Sequence, residues 1–256
     1  MIHPTAIVSP QARIAKDVEI GPYSVIGDNV EIGAGTVVRS HVVINGPTII
    51  GRDNIIYQFA SVGEDPQDKK YAGEPTRLTI GDRNTIREYC TLSRGTAQDS
   101  GETVLGDDNW LMAYVHIAHD CHVGSNVIMA NNATLAGHVC VGDWVIMAGF
   151  TGAHQFCRIG AHAFLGMYSG IARDVPAYTM VAGNPGVPRG INSEGLKRRG
   201  FDAGQIRNIK EAYRLVYRKG VKLEEAVRSL EAEVAAKPEL GLFLDSLHAS
   251  KRGLLR

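Results

Sequence analysis

Val18-Glu19-Ile20-Gly21-Pro22-Tyr23-Ser24-Val25-Ile26-Gly27-Asp28-Asn29-Val30-Glu31-Ile32-Gly33 repeats itself every six residues. An aliphatic residue returns at Ile20, Ile26 and Ile32, glycine follows each, and a small or β-branched residue stands two places before. Outward from this stretch the register runs back through Ile14 to Val8 and forward through Val38, Ile44, Ile50 and Ile56 to Val62. It resumes at Ile80, Ile86 and Leu92, and again from Leu105 through Ile117, Met129 and Val141 to Ile171. A period of six fits neither an amphipathic helix nor strands joined by hairpins. It fits a coil with three flat faces, one hexapeptide per face, the aliphatic side chain pointing inward and glycine relieving crowding at the corners. Successive coils would hydrogen-bond as parallel strands about 4.8 Å apart. Residues 1–190 are therefore predicted to form a left-handed parallel β-helix, an all-β architecture.

Two segments break the rhythm, residues 63–78 and 93–104. Long excursions from a regular solenoid are usually functional or disordered. The first holds Gln67, Asp68, Lys69, Lys70 and Tyr71, and the second Ser93 and Arg94. After Val175-Pro176 the repeat stops. Residues 191–256 read as a small helical domain: Ser193-Glu194 caps a helix Gly195–Arg199, and Asp202 caps a second, Gly204–Lys219. A third follows over Leu223–Ala236, Pro238 breaks the chain, and Glu239–Leu247 is a fourth. The stripe Ile206, Ile209, Ala212, Tyr213, Val216 needs a surface to bury against.

The chain has 27 Lys+Arg and 27 Asp+Glu, so no global charge argues for nucleic acid. Its distribution is uneven, since residues 191–256 hold 14 Lys/Arg against 9 Asp/Glu. A basic end on a neutral chain suggests a local anionic partner. No apolar run approaches the roughly 18–20 residues of a membrane span, and Met1-Ile2-His3-Pro4 does not read as a signal peptide. Cys90, Cys121, Cys140 and Cys157 lack metal spacing and are expected to be reduced, packed thiols in a cytoplasmic protein.

Several segments together resemble the family of acyl-carrier-protein–UDP-N-acetylglucosamine O-acyltransferases. They are Tyr57 to Glu64, Lys70 to Arg77, Ala118-His119-Asp120-Cys121, Asn131 to His138, His154-Gln155-Phe156 and Gly195 to Phe201, and the likeness continues to Lys251-Arg252-Gly253-Leu254-Leu255-Arg256. The resemblance implies transfer of a 3-hydroxyacyl group from acyl carrier protein to a UDP-sugar, the first step of lipid A synthesis. It also implies a homotrimer with clefts between adjacent coils. No cofactor is implied, because 4′-phosphopantetheine arrives on the carrier protein.

Acyl transfer from a thioester to a hydroxyl needs a base for the hydroxyl proton and donors for an oxyanion. Imidazole titrates near neutrality and an adjacent carboxylate can orient it, which points to His119 with Asp120. The resemblance assigns His119 as base, Asp120 as its partner and the Gly137 N–H as oxyanion donor. It places His116, His138, His154 and Gln155 along the substrate cleft, with Gln67, Asp68 and Lys70 from the first excursion. Asn192, Glu194, Arg198 and Arg199 match the nucleotide contacts, where a planar guanidinium suits a diphosphate. The basic residues Lys197, Arg207, Lys210, Arg214 and Arg218 would dock the acidic carrier.

Two positions depart from the family pattern. Ser93 stands where the family usually has histidine, which opens the 3-amino analogue of the sugar as an alternative acceptor. Met167 stands where others have glycine at the end of the acyl pocket, which predicts a chain of about ten carbons over fourteen, since each buried CH₂ contributes about 0.8 kcal/mol. Three competing readings share the coil. One is a related N-acyl- or acetyltransferase, although the N-acyltransferase is expected to carry an extra domain before its coil. Another is a zinc site of three histidines as in β-helical carbonic anhydrases, open to metal analysis. The last is an inert solenoid.

Overall fold

The inward aliphatic residues are buried as the period requires. In the computed structural model, which describes all 256 residues, every one from Ile20 to Ile171 is buried. Val8 and Ile14, in the first coil, are only partly covered because no coil lies beneath them. Residues two places earlier, Val18, Ser24, Val30 and Thr36, are buried as well. Short strands stack into three parallel sheets of nine, eight and ten strands, the three faces of a left-handed β-helix. Ile7–Val8 starts the first sheet, Arg13–Ile14 the second and Glu19–Ile20 the third. Ile7 pairs with Val25, Val25 with Val43, and later His116 with Thr134, each eighteen residues on. One cluster of 40 buried residues fills the coil, and each large aliphatic contributes roughly 1.5–3 kcal/mol of burial.

Several polar residues inside the coil are held in hydrogen-bonded ladders. The Ser24 hydroxyl donates to the Arg39 carbonyl (2.7 Å) and accepts from the Val42 N–H (3.2 Å). Asn54, Asn84 and Asn109 stack at one corner, each side-chain carbonyl accepting the N–H of a residue one coil further on (2.7–2.9 Å). The Asn54 amide also donates to the Arg52 and Gly81 carbonyls and that of Asn84 to Asn54, whereas the Asn109 amide at the end of the ladder donates to no group.

The corners are built differently from the expectation that glycine makes them. Nineteen non-glycine residues have positive φ, each three places after an inward residue, among them Tyr89, Asp120, His138 and Phe156. Their left-handed backbone is over-determined by the coils above and below. The glycine directly after the inward residue serves another purpose. A Cβ on Gly21 would lie 2.7 Å from the Arg39 carbonyl carbon, so the residue is glycine because the next coil's backbone passes across it.

The repeat ends later than Val175-Pro176 suggested. Thr179–Ala182 continues the third sheet in parallel with Phe164–Leu165, and Val187–Ile191 pairs with it antiparallel, closing that sheet with a hairpin. Four helices follow: α1 (Ser193–Arg198), α2 (Ala203–Tyr217), α3 (Leu223–Glu233) and α4 (Gly241–His248). The α1 cap is Asn192, not Ser193-Glu194: its Oδ1 accepts from the Gly195 N–H. Asp202 caps α2 with Gln205 completing a capping box. Ile209, Ala212, Tyr213 and Val216 of α2 are buried with Tyr178, Leu196 and Phe243 in a second core. Beyond α4 the chain returns to the coil. The buried Asp174 carboxylate accepts from the Ser250 hydroxyl (2.8 Å) and the Lys251 and Arg252 N–H groups (3.0 Å each), and Leu255 enters the coil core. No helix is long and apolar enough to cross a membrane.

Candidate active site

Both excursions leave the coil at one corner, between the first and second sheets. Ser61–Glu64 leads to Arg77–Ile80, and Thr91–Ser93 leads to Glu102–Leu105, so the irregular stretches are 65–76 and 94–101. Arg94 is buried and ties them together, donating to the Gly63 carbonyl, the Asp65 carboxylate and the Tyr71 hydroxyl. Ser93 is buried inside its strand and lines no part of the cleft that follows.

The next three coils cross the same corner. There His119, Gly137 and Gln155 stand eighteen residues apart, and beside them Asp120, His138 and Phe156 form a second column. His119 Nδ1 lies 2.8 Å from Asp120 Oδ2. Asp120 is almost wholly buried and accepts further bonds from the Thr96 N–H (2.9 Å) and hydroxyl (2.6 Å). Burial alone would raise the Asp120 pKa, but the hydrogen bonds from His119 and Thr96 outweigh it and hold the carboxyl below its usual range. His138 stacks on Phe156 with centroids 4.4 Å apart and meets His119 edge-on at 5.0 Å. Its Nδ1 lies 2.7 Å from Asp99 Oδ2 in the second excursion. The Gly137 N–H donates to no group of the chain, while its carbonyl accepts from Phe156 (3.1 Å).

A cleft of about 570 Å³ opens here, lined by Asp68, Lys70, Asp99, Asp120, His138 and Phe156, with Arg158, Lys251 and Arg252 supplying further positive charge. His119 does not line this cleft itself but stands behind its Asp120 and His138 walls; a larger cavity of about 650 Å³ lies beside it against α4 and holds none of the three. His116, on the first sheet, bonds Thr91 Oγ1 (2.7 Å); burial and then the charge of His119 push its pKa down. His154 and Gln155 are exposed on the same corner, and Gln67 is exposed beside Asp68.

The other expected residues lie on other corners. Asn192 donates to the His162 carbonyl (3.0 Å), so its amide is used in holding α1 to the coil. Glu194 pairs with Lys197 (2.8 Å) and Arg198 is exposed. Arg199 donates to His162 Nδ1 (3.1 Å), its guanidinium 5.2 Å over the Trp144 ring, at the corner between the second and third sheets. Burial pushes the His162 pKa down to about 4, with the Arg199 charge adding to it. Met167 does not join His119 within one chain. It is 62% exposed at the corner between the third and first sheets, one coil above Gly149, on the far edge of the first sheet. The candidates are thus spread over all three corners of the prism.

His119, Asp120 and His138 bring donor atoms within 4.8 Å of one another, a spread that fits a cation. Each Nδ1 already bonds a carboxylate, and His116 and His122 face Thr91 and solvent instead. The donor set therefore does not match a three-histidine zinc site. Sequence reading missed Thr96, Asp99, Trp144, His162, Lys251 and Arg252. The excursion at 93–104 was the only linear signal for the first two, and nothing linear brings residue 251 beside residue 138.

Comparison with known proteins fits this geometry. The model described as UDP N-acetylglucosamine O-acyltransferase, domain 2, matches residues 174–255, and the bacterial transferase hexapeptide repeat matches residues 11–46 and 102–137. The chain is 62% identical to the acyl-[acyl-carrier-protein]–UDP-N-acetylglucosamine O-acyltransferase of Janthinobacterium sp. (strain Marseille), over 100% of this chain and 99% of that one. It is 60% identical to the enzyme of the same description from Thiobacillus denitrificans, with the same coverage. LpxA from Acinetobacter baumannii superposes with a TM-score of 0.98 at 51% identity, covering 100% of this chain and 99% of that one. The Arabidopsis UDP-N-acetylglucosamine acyltransferase matches at 0.86 and 37%, with full coverage of both. By sequence and fold the chain belongs to the acyl-carrier-protein–UDP-N-acetylglucosamine O-acyltransferase family and is an acyltransferase.

Proposed function

We propose that this enzyme transfers a 3-hydroxyacyl group from acyl carrier protein to the 3-hydroxyl of UDP-N-acetylglucosamine, the entry step of lipid A synthesis, with His119 as general base. The observation that carries the reading is the His119–Asp120 pair, 2.8 Å apart, with the carboxylate fixed by three hydrogen bonds at the edge of a cleft that Lys70, Arg158, Lys251 and Arg252 also line. A carboxylate only accepts, so Nδ1 keeps the proton and Nε2 is the basic nitrogen. His119 Nε2 takes the sugar hydroxyl proton as the oxygen attacks the thioester carbonyl. The oxyanion is received by the Gly137 N–H, the unpaired donor beside the ring. Collapse breaks the C–S bond, and the imidazolium returns its proton to the departing thiolate. Asp120 stabilises that cation without itself taking the proton.

Every proton in this sequence is held by a side chain or backbone group, and we assign no metal or organic cofactor to it. Lys70, Lys251 and Arg252 face the anionic parts of the substrates within the cleft. Arg199 and Met167 reach a substrate in the His119 cleft only from a neighbouring copy, because they sit on other corners. We therefore propose a homotrimer with shared clefts, the basic face of the helical domain receiving the carrier protein. Mass spectrometry of the product from mixed 3-hydroxyacyl carrier proteins and UDP-N-acetylglucosamine tests the reading. A mono-O-acylated sugar nucleotide is expected, and no acylated product would overturn it.

A further inference from the structure

We propose that Asp99 is a positioning residue: its carboxylate locks the His138 ring so that a bare Nε2 faces the cleft beside His119 and accepts a hydrogen bond from a substrate hydroxyl. The proposal rests on the acyltransferase reading for the substrate and on the geometry for the rest.

The ring of His138 is held in its plane by Phe156, stacked at 4.4 Å and 10°, and by the edge contact to His119 at 5.0 Å and 87°. Apolar stacking of this kind fixes the plane of an imidazole but not which nitrogen carries the proton. Asp99 Oδ2, 2.7 Å from Nδ1, is the one group in hydrogen-bond range of the ring. The Asp120 carboxylate is 3.8 Å away and is committed to His119 and Thr96. An ionised carboxylate can only accept, so the partner at Nδ1 must be N–H, which leaves Nε2 of the neutral ring as an acceptor.

The segment bearing Asp99 is itself held in place. Thr96 binds Asp120 through both its N–H and its hydroxyl, and the N–H groups of Asp99 (3.3 Å) and Gly101 (3.1 Å) return to the Thr96 carbonyl. Gly95, before it, has no room for a side chain, since a Cβ there would stand 2.1 Å from the Glu102 nitrogen. One carboxylate, Asp120, thus orients His119 directly and places Asp99 through the loop. The result is two imidazoles 5.0 Å apart, each with Nδ1 tied to an aspartate. In the neutral ring the first takes a proton from the attacking hydroxyl, and the second receives a hydroxyl of the bound substrate.

The test uses the full chain with ¹⁵N-labelled histidine, comparing wild type with Asp99→Ala and Asp99→Asn. Without substrate, wild-type His138 should show the Nδ1–H tautomer; Asp99→Ala should lose that signature and Asp99→Asn, whose amide oxygen still accepts, should keep it. In steady-state assays Asp99→Ala should lose about tenfold in kcat/KM, the worth of one hydrogen bond to a charged group, and Asp99→Asn should recover most of it. A loss confined to 3-hydroxyacyl donors assigns the bound hydroxyl to the acyl chain; an equal loss with unhydroxylated donors assigns it to the sugar. The proposal fails if Asp99→Ala keeps the tautomer, or keeps the rate. Inactive wild type would instead sink the substrate reading, while the spectrum, recorded without substrate, still judges Asp99.

Discussion

Gly137 lies one coil beyond His119, and a β-carbon built on it would stand 2.5 Å from Cε1 and 2.7 Å from Nε2 of the imidazole. The glycine is the seat of the ring as well as a free N–H. Gly137→Ala should therefore push His119 away from Asp120 and lower kcat by about 10²-fold, the scale of a 1 Å misplacement. Thermal unfolding should move little, because the clash is with a side chain at a corner. Activity within twofold of wild type would remove Gly137 from the site.

Asp120→Asn preserves shape but not charge. We expect kcat to fall by about 10²–10⁴-fold, the range of general-base catalysis and its orienting group. The same residue has a signature in stability. Its folded pKa is depressed, so its contribution is complete above the ordinary carboxylate pKa and is lost as pH falls through the folded value. Urea unfolding between neutral and strongly acidic pH should show a shallower acid loss in the Asn variant than in wild type. Parallel curves would show that the buried carboxylate is not what the acid limb reports.

His162 titrates in the opposite chemical sense with the same direction in pH. Burial and Arg199 lower its pKa from 6.5 to about 4, so the unfolded chain binds the proton first. Stability should fall as pH drops from 6.5 towards 4, and charging the ring also breaks its bond with Arg199. His162→Gln should flatten the dependence of Tm on pH in that window. An unchanged slope would mean that the ring is already open to solvent protons.

His119 and Arg199 occupy different corners of one prism, and the shared-cleft reading makes them partners across two copies. Co-expressed His119→Ala and Arg199→Ala chains, each inactive alone, should assemble at random into a trimer population with about a quarter of wild-type activity, since about one random neighbour pair in four restores a full site. No recovery in verified mixed trimers would show that both residues serve one chain's site.

Met167 is exposed on a single chain, where its length constrains nothing. If a neighbour's cleft ends against it, Met167→Gly should shift product mass from about ten carbons towards fourteen, each added CH₂ being worth about 0.8 kcal/mol. An unchanged distribution in a mixed-donor assay would show that Met167 does not set the chain length.

The six-residue period determined the coil, its three faces and its buried residues, because a repeat that is local in sequence becomes a stack in space. Asp202 as a cap and the α2 stripe were legible for the same reason, each depending on neighbours within a turn or two. The pairing of His119 with Asp120 could be read from adjacency, and the resemblance supplied its role. The same count set the corner, since Met167 lies eight hexapeptides after His119, two coils and two faces on, and so on another edge of the prism. The chain could not say how the two excursions would fold. Nor could it say that Asp99 meets His138, thirty-nine residues on, or that Asp174 draws Lys251 and Arg252 back to the cleft. Those contacts depend on where irregular segments land after the coil has stacked. They are set by burial and hydrogen-bond satisfaction across the whole molecule, and tertiary structure alone decided them.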